Sequence, residues 1–276
     1  MGLQKKQENL RRKSKLFFLI CNLLWAGPLL FTLSACNSLD NQISASDPSH
    51  LSDQWKAHNE WWESIEDGDF ALYVRQPEKS IQYFEQAIKQ ANSFGQADPR
   101  RAKSYVSLGR AYMEKSDFQK AHDALTKGLE LQEKLHGKDS NELSGTLTDL
   151  ALVEFNLHKL KEAKALSDRS IELKKVAKDS SGSSEMKYVR GLILSQSKDV
   201  KNEIVSENFE SAIKDFSVDF ENKKLLLDTV GLKNYANCLD RYSIWLSAQK
   251  QTAKVDTIKK KLESVERYLN EFETKS

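Results

Sequence analysis

Glycine and proline are scarce in this chain, with 11 and 4 among 276 residues. Motifs that need glycine are missing with them. There is no glycine-rich loop to cradle a phosphate and no Gly-x-Ser-x-Gly nucleophile elbow. The five histidines, His50, His58, His122, His136 and His158, never fall at His-x-x-x-His spacing, and the three cysteines never at Cys-x-x-Cys. No pair of metal ligands is therefore set on one helical face. His58-Asn59-Glu60 beside Trp61 comes nearest to a metal cluster and reads as a solvated helix face. Paired carboxylates such as Glu63 and Asp67 read the same way. These absences predict a protein that is not an enzyme and takes no cofactor and no metal.

An excess of base is also missing once position is considered. The chain has 42 basic and 40 acidic residues and a formal net charge of +2. Residues 1–35 hold six of the basic residues and one of the acidic ones, which leaves 36 and 39 in the remainder, a net charge of −3. That balance argues against nucleic acid as a partner.

The first 35 residues form a leader. Lys5, Lys6, Arg11, Arg12, Lys13 and Lys15 precede a run containing Leu16-Phe17-Phe18-Leu19-Ile20, Leu23-Leu24-Trp25 and Leu29-Leu30-Phe31. A basic end, a short apolar segment and small residues at its close are the parts of a secretory signal. Asn22 and Gly27-Pro28 interrupt the run and make it a poor stable span. The run ends at Leu33-Ser34-Ala35-Cys36, which resembles the lipobox of bacterial lipoproteins. An uncleaved signal anchor, or an ordinary signal peptide followed by a chance cysteine, is the alternative. The resemblance implies cleavage before Cys36, a lipid on its sulfur and a membrane-held protein. Each buried methylene of such a lipid contributes about 0.8 kcal/mol, so two or three acyl chains anchor durably where one does not. Asn37, standing where an aspartate would signal retention, implies an outer-membrane protein facing the periplasm. Cys21 leaves with the leader and Cys36 carries lipid, so Cys238 stands alone and reads as a packing residue.

Residues 36–50 are polar, lack a helical period and read as a flexible tether. Beyond them the chain repeats itself. Residues 102–135 match 144–177 at an offset of 42: Leu108-Gly109 with Leu150-Ala151, Phe118 with Leu160, Ala121 with Ala163, and Gly128-Leu129-Glu130-Leu131 with Ser170-Ile171-Glu172-Leu173. An earlier copy lies near 61–94, with Gly68, Ser80, Phe84 and Ala87 matching Gly109, Ala121, Leu125 and Gly128. A fixed period of this length marks stacked supersecondary units. The second copy predicts helices over 102–115 and 118–135, a turn at Ser116-Asp117 with Asp117 as cap, and a stop at Gly137.

The pattern resembles the tetratricopeptide repeat, in the 42-residue form of kinesin light chains. It implies an all-α helical solenoid, with repeats over 51–178 and a C-terminal helical extension over 185–276. The third copy departs from the pattern at Glu154 and Ser167, where the second has Tyr112 and Leu125. Residues 179–184 read as a loop. Leu192-Ile193-Leu194 keeps the register of Leu150-Ala151-Leu152 before the match fades. Further helices are expected near 186–196, 200–217, 221–248 and 253–273. Leu232, Tyr235, Ala236 and Leu239 resemble another first helix. Ile258, Leu262, Val265, Tyr268 and Leu269 form the amphipathic face of a closing one.

A solenoid of this kind exposes a concave face built by the first helix of each copy. The register projects Trp62, Ile65, Asp69 and Tyr73 onto that face, then Lys103, Val106, Arg110 and Met113, then Thr148, Leu152 and Phe155. Aromatic and aliphatic anchors beside cations suit a peptide or protein segment. Of these, Trp62, Asp69, Tyr73, Lys103, Arg110, Met113, Leu152 and Phe155 are the candidate contacts, with Cys36 as the lipidation site. The functional expectation is a membrane-anchored interaction scaffold of the bacterial cell envelope, bound to unidentified envelope proteins and to no small-molecule substrate. The alternatives are an envelope enzyme or enzyme subunit with a site in the C-terminal helices, and a self-associating structural tether.

Overall fold

The computed structural model describes residues 48–95, 98–178, 183–197, 199–221 and 229–275. The leader, Cys36 and nearly all of the expected tether lie outside the described residues, as do 179–182 of the expected loop. The chain divides into two compact units at Asp53–Gln54. Of the first unit only 48–53 are described, all helical. Everything below concerns the second.

Among the described residues every regular element is helical. They are α1 (Pro48–Tyr73), α2 (Pro77–Ala91), α3 (Pro99–Glu114), α4 (Phe118–His136), α5 (Ser144–Asn156), α6 (Leu160–Val176), α7 (Ser183–Ser195), α8 (Asn202–Glu221), α9 (Thr229–Ala248) and α10 (Thr252–Lys275), with single 3-10 turns at Asn92–Phe94 and Asn141–Leu143. None is long and apolar enough to cross a membrane. Local chemistry sets the boundaries. Asp98 caps α3, accepting from the Arg100 amide at 2.9 Å, with Pro99 in the first turn. Asp117 caps α4 through the Lys120 amide at 3.4 Å. Gly137 closes α4 with φ +83°, a backbone that side chains disfavour.

The helices pair as hairpins, and four hairpins share one turn. Arg75, Ser116, His158 and Lys250 all stand near φ +60°. Each donates its amide three residues back, and the following residue donates five back, as in Arg75→Leu72 with Gln76→Ala71 and in Ser116→Met113 with Asp117→Tyr112. These bonds satisfy the last carbonyls of the first helix and reverse the chain.

Packing within a hairpin depends on close approach. A Cβ placed on Gly68 would lie 2.4 Å from the Phe84 ring, and one on Gly109 would lie 2.5 Å from Leu125 Cγ. The third hairpin solves the same crossing with two small residues, Ala151 and Ser167, both buried. Leu166, one position earlier on α6, packs against the cores on several sides. The first helices also meet in series, α3 with α5, α5 with α7 and α7 with α9. The hairpins therefore form a stack with a continuous interior, in which a fully buried leucine such as Leu125 contributes about 1.5–3 kcal/mol.

Three expectations are corrected. The register assigned to Leu192-Ile193-Leu194 is two residues out. Gly191, not Ile193, makes the close approach, to the Phe209 ring at 3.2 Å. The glycine and its partner are separated by two more residues than in the earlier hairpins, because the turn between α7 and α8 is longer and lacks the shared geometry. Val205, Phe209 and Ala212 then resume the 42-residue offset from Ala163, Ser167 and Ser170. What reads as a fading pattern is thus a fourth repeat. The second correction concerns boundaries. The expected loop ends early, since Ser183 and Ser184 belong to α7, and α8 runs on to Glu221, while 222–228 of the next expected helix lie outside the described residues. The third concerns His58, which is not on a solvated face. Its ring is half-buried beside Trp61, at 5.9 Å between centroids, and accepts from Arg100 Nη1 at 3.1 Å. Burial and that guanidinium hold its pKa below the usual histidine value.

Leu232, Tyr235 and Leu239 are buried on α9, as are Ile258 and Val265 on α10, with Leu262, Tyr268 and Leu269 half-buried against the same core. Cys238 is buried and pushed well up by that burial, an inert packing residue.

Candidate protein-binding face

Positions on the first helices repeat relative to the small residue at each crossing. Six residues before it stand Trp62, Lys103 and Gly145. One residue after it stand Asp69, Arg110 and Leu152. Six and seven residues are about two turns, so the two rows lie along one side of the stacked helices.

The geometry across that side is a chain of alternating charge over aromatic and glycine surface. Trp61 is buried as a strut, its indole N–H donating to Ser104 Oγ at 2.9 Å. Trp62 beside it is half-buried, and Lys103 from α3 lies over its ring with Nζ 4.8 Å from the centroid. Asp69 faces the fields of Lys103 and Arg110. The surrounding helices strip part of its water, which raises its pKa, and the two cations oppose that rise. Arg110 reaches forward to α5, where Nε donates to Asp149 Oδ2 at 2.7 Å. Its Nη2 is 3.9 Å from where a Cβ on Gly145 would stand, so the guanidinium lies along bare backbone. Tyr73 stacks on Phe70 at 6.4 Å, both about one-third exposed.

The candidates thus fall into two groups. Trp62, Asp69, Tyr73, Lys103 and Arg110 share one surface with Asp149. Met113, Leu152 and Phe155 are half-buried and pack against core residues, Met113 in the α3–α5 core and the other two toward α7–α9. Of the residues projected beside them, Ile65, Val106 and Thr148 are core and not surface. Val106 Cγ2 fills the space above Gly128. Thr148 bonds Ser144 O and Ser170 Oγ, both at 2.9 Å. A helix inside a stack is covered on two flanks, and these three positions turn toward the second helices.

Sequence reasoning missed Asp149 and Gly145. It also missed the buried Glu154 carboxyl and its two partly exposed partners. Glu154 of α5 takes the position held by Tyr112 in α3 and pairs with His122 of α4 and with Lys159, whose Nζ is 3.3 Å from Oε2. Among the described residues no group of three or more histidine, cysteine, aspartate or glutamate side chains is arranged to hold a metal ion.

The Tetratricopeptide repeat family model matches residues 68–134, from within α1 to near the end of α4. No curated protein matches the chain. Among solved structures, two crystal structures of a Podosopora anserina putative kinesin light chain with nearly identical TPR-like repeats align at 13% identity. Their TM-scores are 0.49 and 0.48. Each covers 74% of this chain, and 92% and 93% of the other. Among the described residues the fold is all-α, a stack of helical hairpins, of which residues 68–134 match the tetratricopeptide repeat.

Proposed function

We propose that this protein is a lipid-anchored scaffold of a bacterial cell envelope that binds a protein segment along its first-helix face. The observation that carries the binding part is the surface shared by Trp62, Lys103, Asp69, Arg110 and Asp149 across α1, α3 and α5. Its ion pair is partly exposed, with Arg110 at 53% and Asp149 at 22%. Such a pair contributes only about 0–1 kcal/mol to stability, so a partner carboxylate can take Arg110 from Asp149 at little cost. Trp62 under Lys103 offers an apolar plane with a cation at its edge, a seat for an aromatic or aliphatic anchor flanked by an acid. The preferred partner is an extended segment with apolar anchors and acidic neighbours.

The anchoring part rests on the leader and on Leu33-Ser34-Ala35-Cys36. Partners are then envelope proteins, and the outer membrane is the site of residence. Metabolic labelling with a palmitate analogue tests it. The unaltered chain incorporates label and fractionates with membranes, whereas Cys36→Ala loses both. Label and fractionation unchanged by Cys36→Ala contradict the anchor while leaving the binding face standing.

A further inference from the structure

The opposite side of the stack holds a second, unrelated surface. Between the last two second helices, α8 and α10, a cleft of about 610 Å³ opens over α9. Its floor is Tyr242, buried and fixed by stacking on Phe209 at 5.1 Å and on Trp245 at 6.0 Å. Ile213, Val218 and Ile258 make apolar walls. The charged lining is three lysines against one acid: Lys214, Lys254 and Lys261 with Glu210. Glu210 is held ionised below its usual range, first by the Tyr242 hydroxyl at 2.7 Å, with Lys254 at 3.0 Å and Ser206 at 3.1 Å. Lys254 is thereby engaged. Lys214 and Lys261 make no ion pair or hydrogen bond among the described residues. Glu203 and Glu207 line a shallower neighbouring cleft that shares Glu210 and Lys214.

The wall hydroxyls are also spoken for. Ser217 bonds the Tyr235 hydroxyl at 2.7 Å, Thr257 donates to Ala253 O at 3.2 Å, and the Tyr242 hydroxyl meets both Ser206 and Glu210. The helical backbone satisfies itself. An extended peptide in this cleft would find few partners for its amides beyond Glu210, which already meets Tyr242, Lys254 and Ser206. An acyl chain has no such groups. Its methylenes need only the aliphatic walls, and an anionic head would meet two unpaired ammonium groups at the rim.

We infer that the α8–α10 cleft binds a single-chain amphiphilic anion, a long-chain carboxylate, with its tail over Tyr242 and its head between Lys214 and Lys261. This site is independent of the first-helix face and of the anchor at Cys36.

Photoaffinity labelling of the full chain with a diazirine-bearing fourteen-carbon carboxylate, mapped by mass spectrometry, is the test. The expected adducts fall within 213–218 and 253–261 and are competed by unlabelled tetradecanoate. The charge-reversed double variant Lys214→Glu/Lys261→Glu, which removes no internal contact, should keep its melting temperature and lose about tenfold in labelling, the equivalent of one charge-assisted contact. Ala253→Trp, filling the exposed mouth of the cleft, should lose it as well. Adducts confined to residues 1–35 or scattered over the helices would overturn the inference. So would labelling indifferent to charge reversal, equal labelling by the matching alcohol, or displacement of the probe by an apolar peptide.

Discussion

Gly191 of α7 and Phe209 of α8 stand as Gly68 stands to Phe84 and Gly109 to Leu125: a bare backbone admits the large side chain of the paired helix, with 3.2 Å from an ideal Cβ to the ring. The stack therefore continues unbroken past the third copy. The C-terminal helical extension thus opens with a hairpin of the same architecture.

The closeness of these approaches differs, and stability should follow it. Replacing glycine with alanine in a helix gains about 1 kcal/mol from propensity, while overpacking costs about 1–3 kcal/mol. At Gly68 and Gly109 the added Cβ would overlap a ring or a branched Cγ below 3.0 Å, which puts overpacking at the upper end, so both alanine variants should be less stable than the parent by up to about 2 kcal/mol net. Gly191→Ala asks Phe209 to yield only a few tenths of an ångström and should fall within about 1 kcal/mol of the parent. Urea unfolding midpoints check the order. A Gly191→Ala variant as damaged as Gly109→Ala would mean that the fourth hairpin packs otherwise.

Glu154, 3% exposed, is met in the core by His122 and by Lys159. The equivalent position in α7 is Leu194. His122→Ala should cost about 1–3 kcal/mol by leaving the carboxylate short of a partner. Glu154→Leu should be neutral or stabilising by up to about 4 kcal/mol, as when buried ion pairs give way to packed aliphatics. The double variant should recover most of what His122→Ala loses. An undiminished cost of His122→Ala in the Glu154→Leu background contradicts the pairing.

Asp98 is held below its ordinary value of 3.8, chiefly by the Arg100 side chain, whose Nε and Nη2 lie at 2.8 and 2.7 Å. A carboxylate lowered in the folded state stabilises above its unfolded value, and that stabilisation is lost as pH falls through the lowered one. The gap between parent and Asp98→Ala should therefore be constant above about pH 5, near 0.5–2 kcal/mol for a lost cap, and shrink steadily below about pH 4. Denaturant titrations from pH 2.5 to 7 measure it. A gap that widens on acidification has the wrong sign for this cap.

The legibility of these features in the sequence follows their range. The limits of α3 and α4 were readable to within about three residues because Asp117 and Gly137 act locally. The paired identities at Gly68, Gly109 and their partners were readable because the period is fixed. Two extra residues between α7 and α8 were enough to hide the fourth copy, since Gly191 and Phe209 each match an earlier position but at different offsets. Val106 and Thr148 were misplaced because a 3.6-residue period separates covered from open faces only for a helix with one neighbour. Asp149 could not be foreseen beside Arg110, because a pair bridging 39 residues leaves no local signature. Cys36 lies outside the described residues, and its role stays with the leader pattern.

The binding face is tested most directly by site-specific photocrosslinking in intact envelopes. A benzophenone side chain replaces Lys103, Ser107 or Glu114 on the first-helix side, and Asp123, Lys127 or Glu130 on α4 as the opposite side. Protein adducts of one defined mass should form from the first three positions only, and Arg110→Gln should remove them while leaving the melting temperature within about 4 °C, as expected for loss of a partly exposed pair. Equal adducts from both sides, or adducts that survive Arg110→Gln, would contradict a partner seated on the face between Trp62 and Asp149.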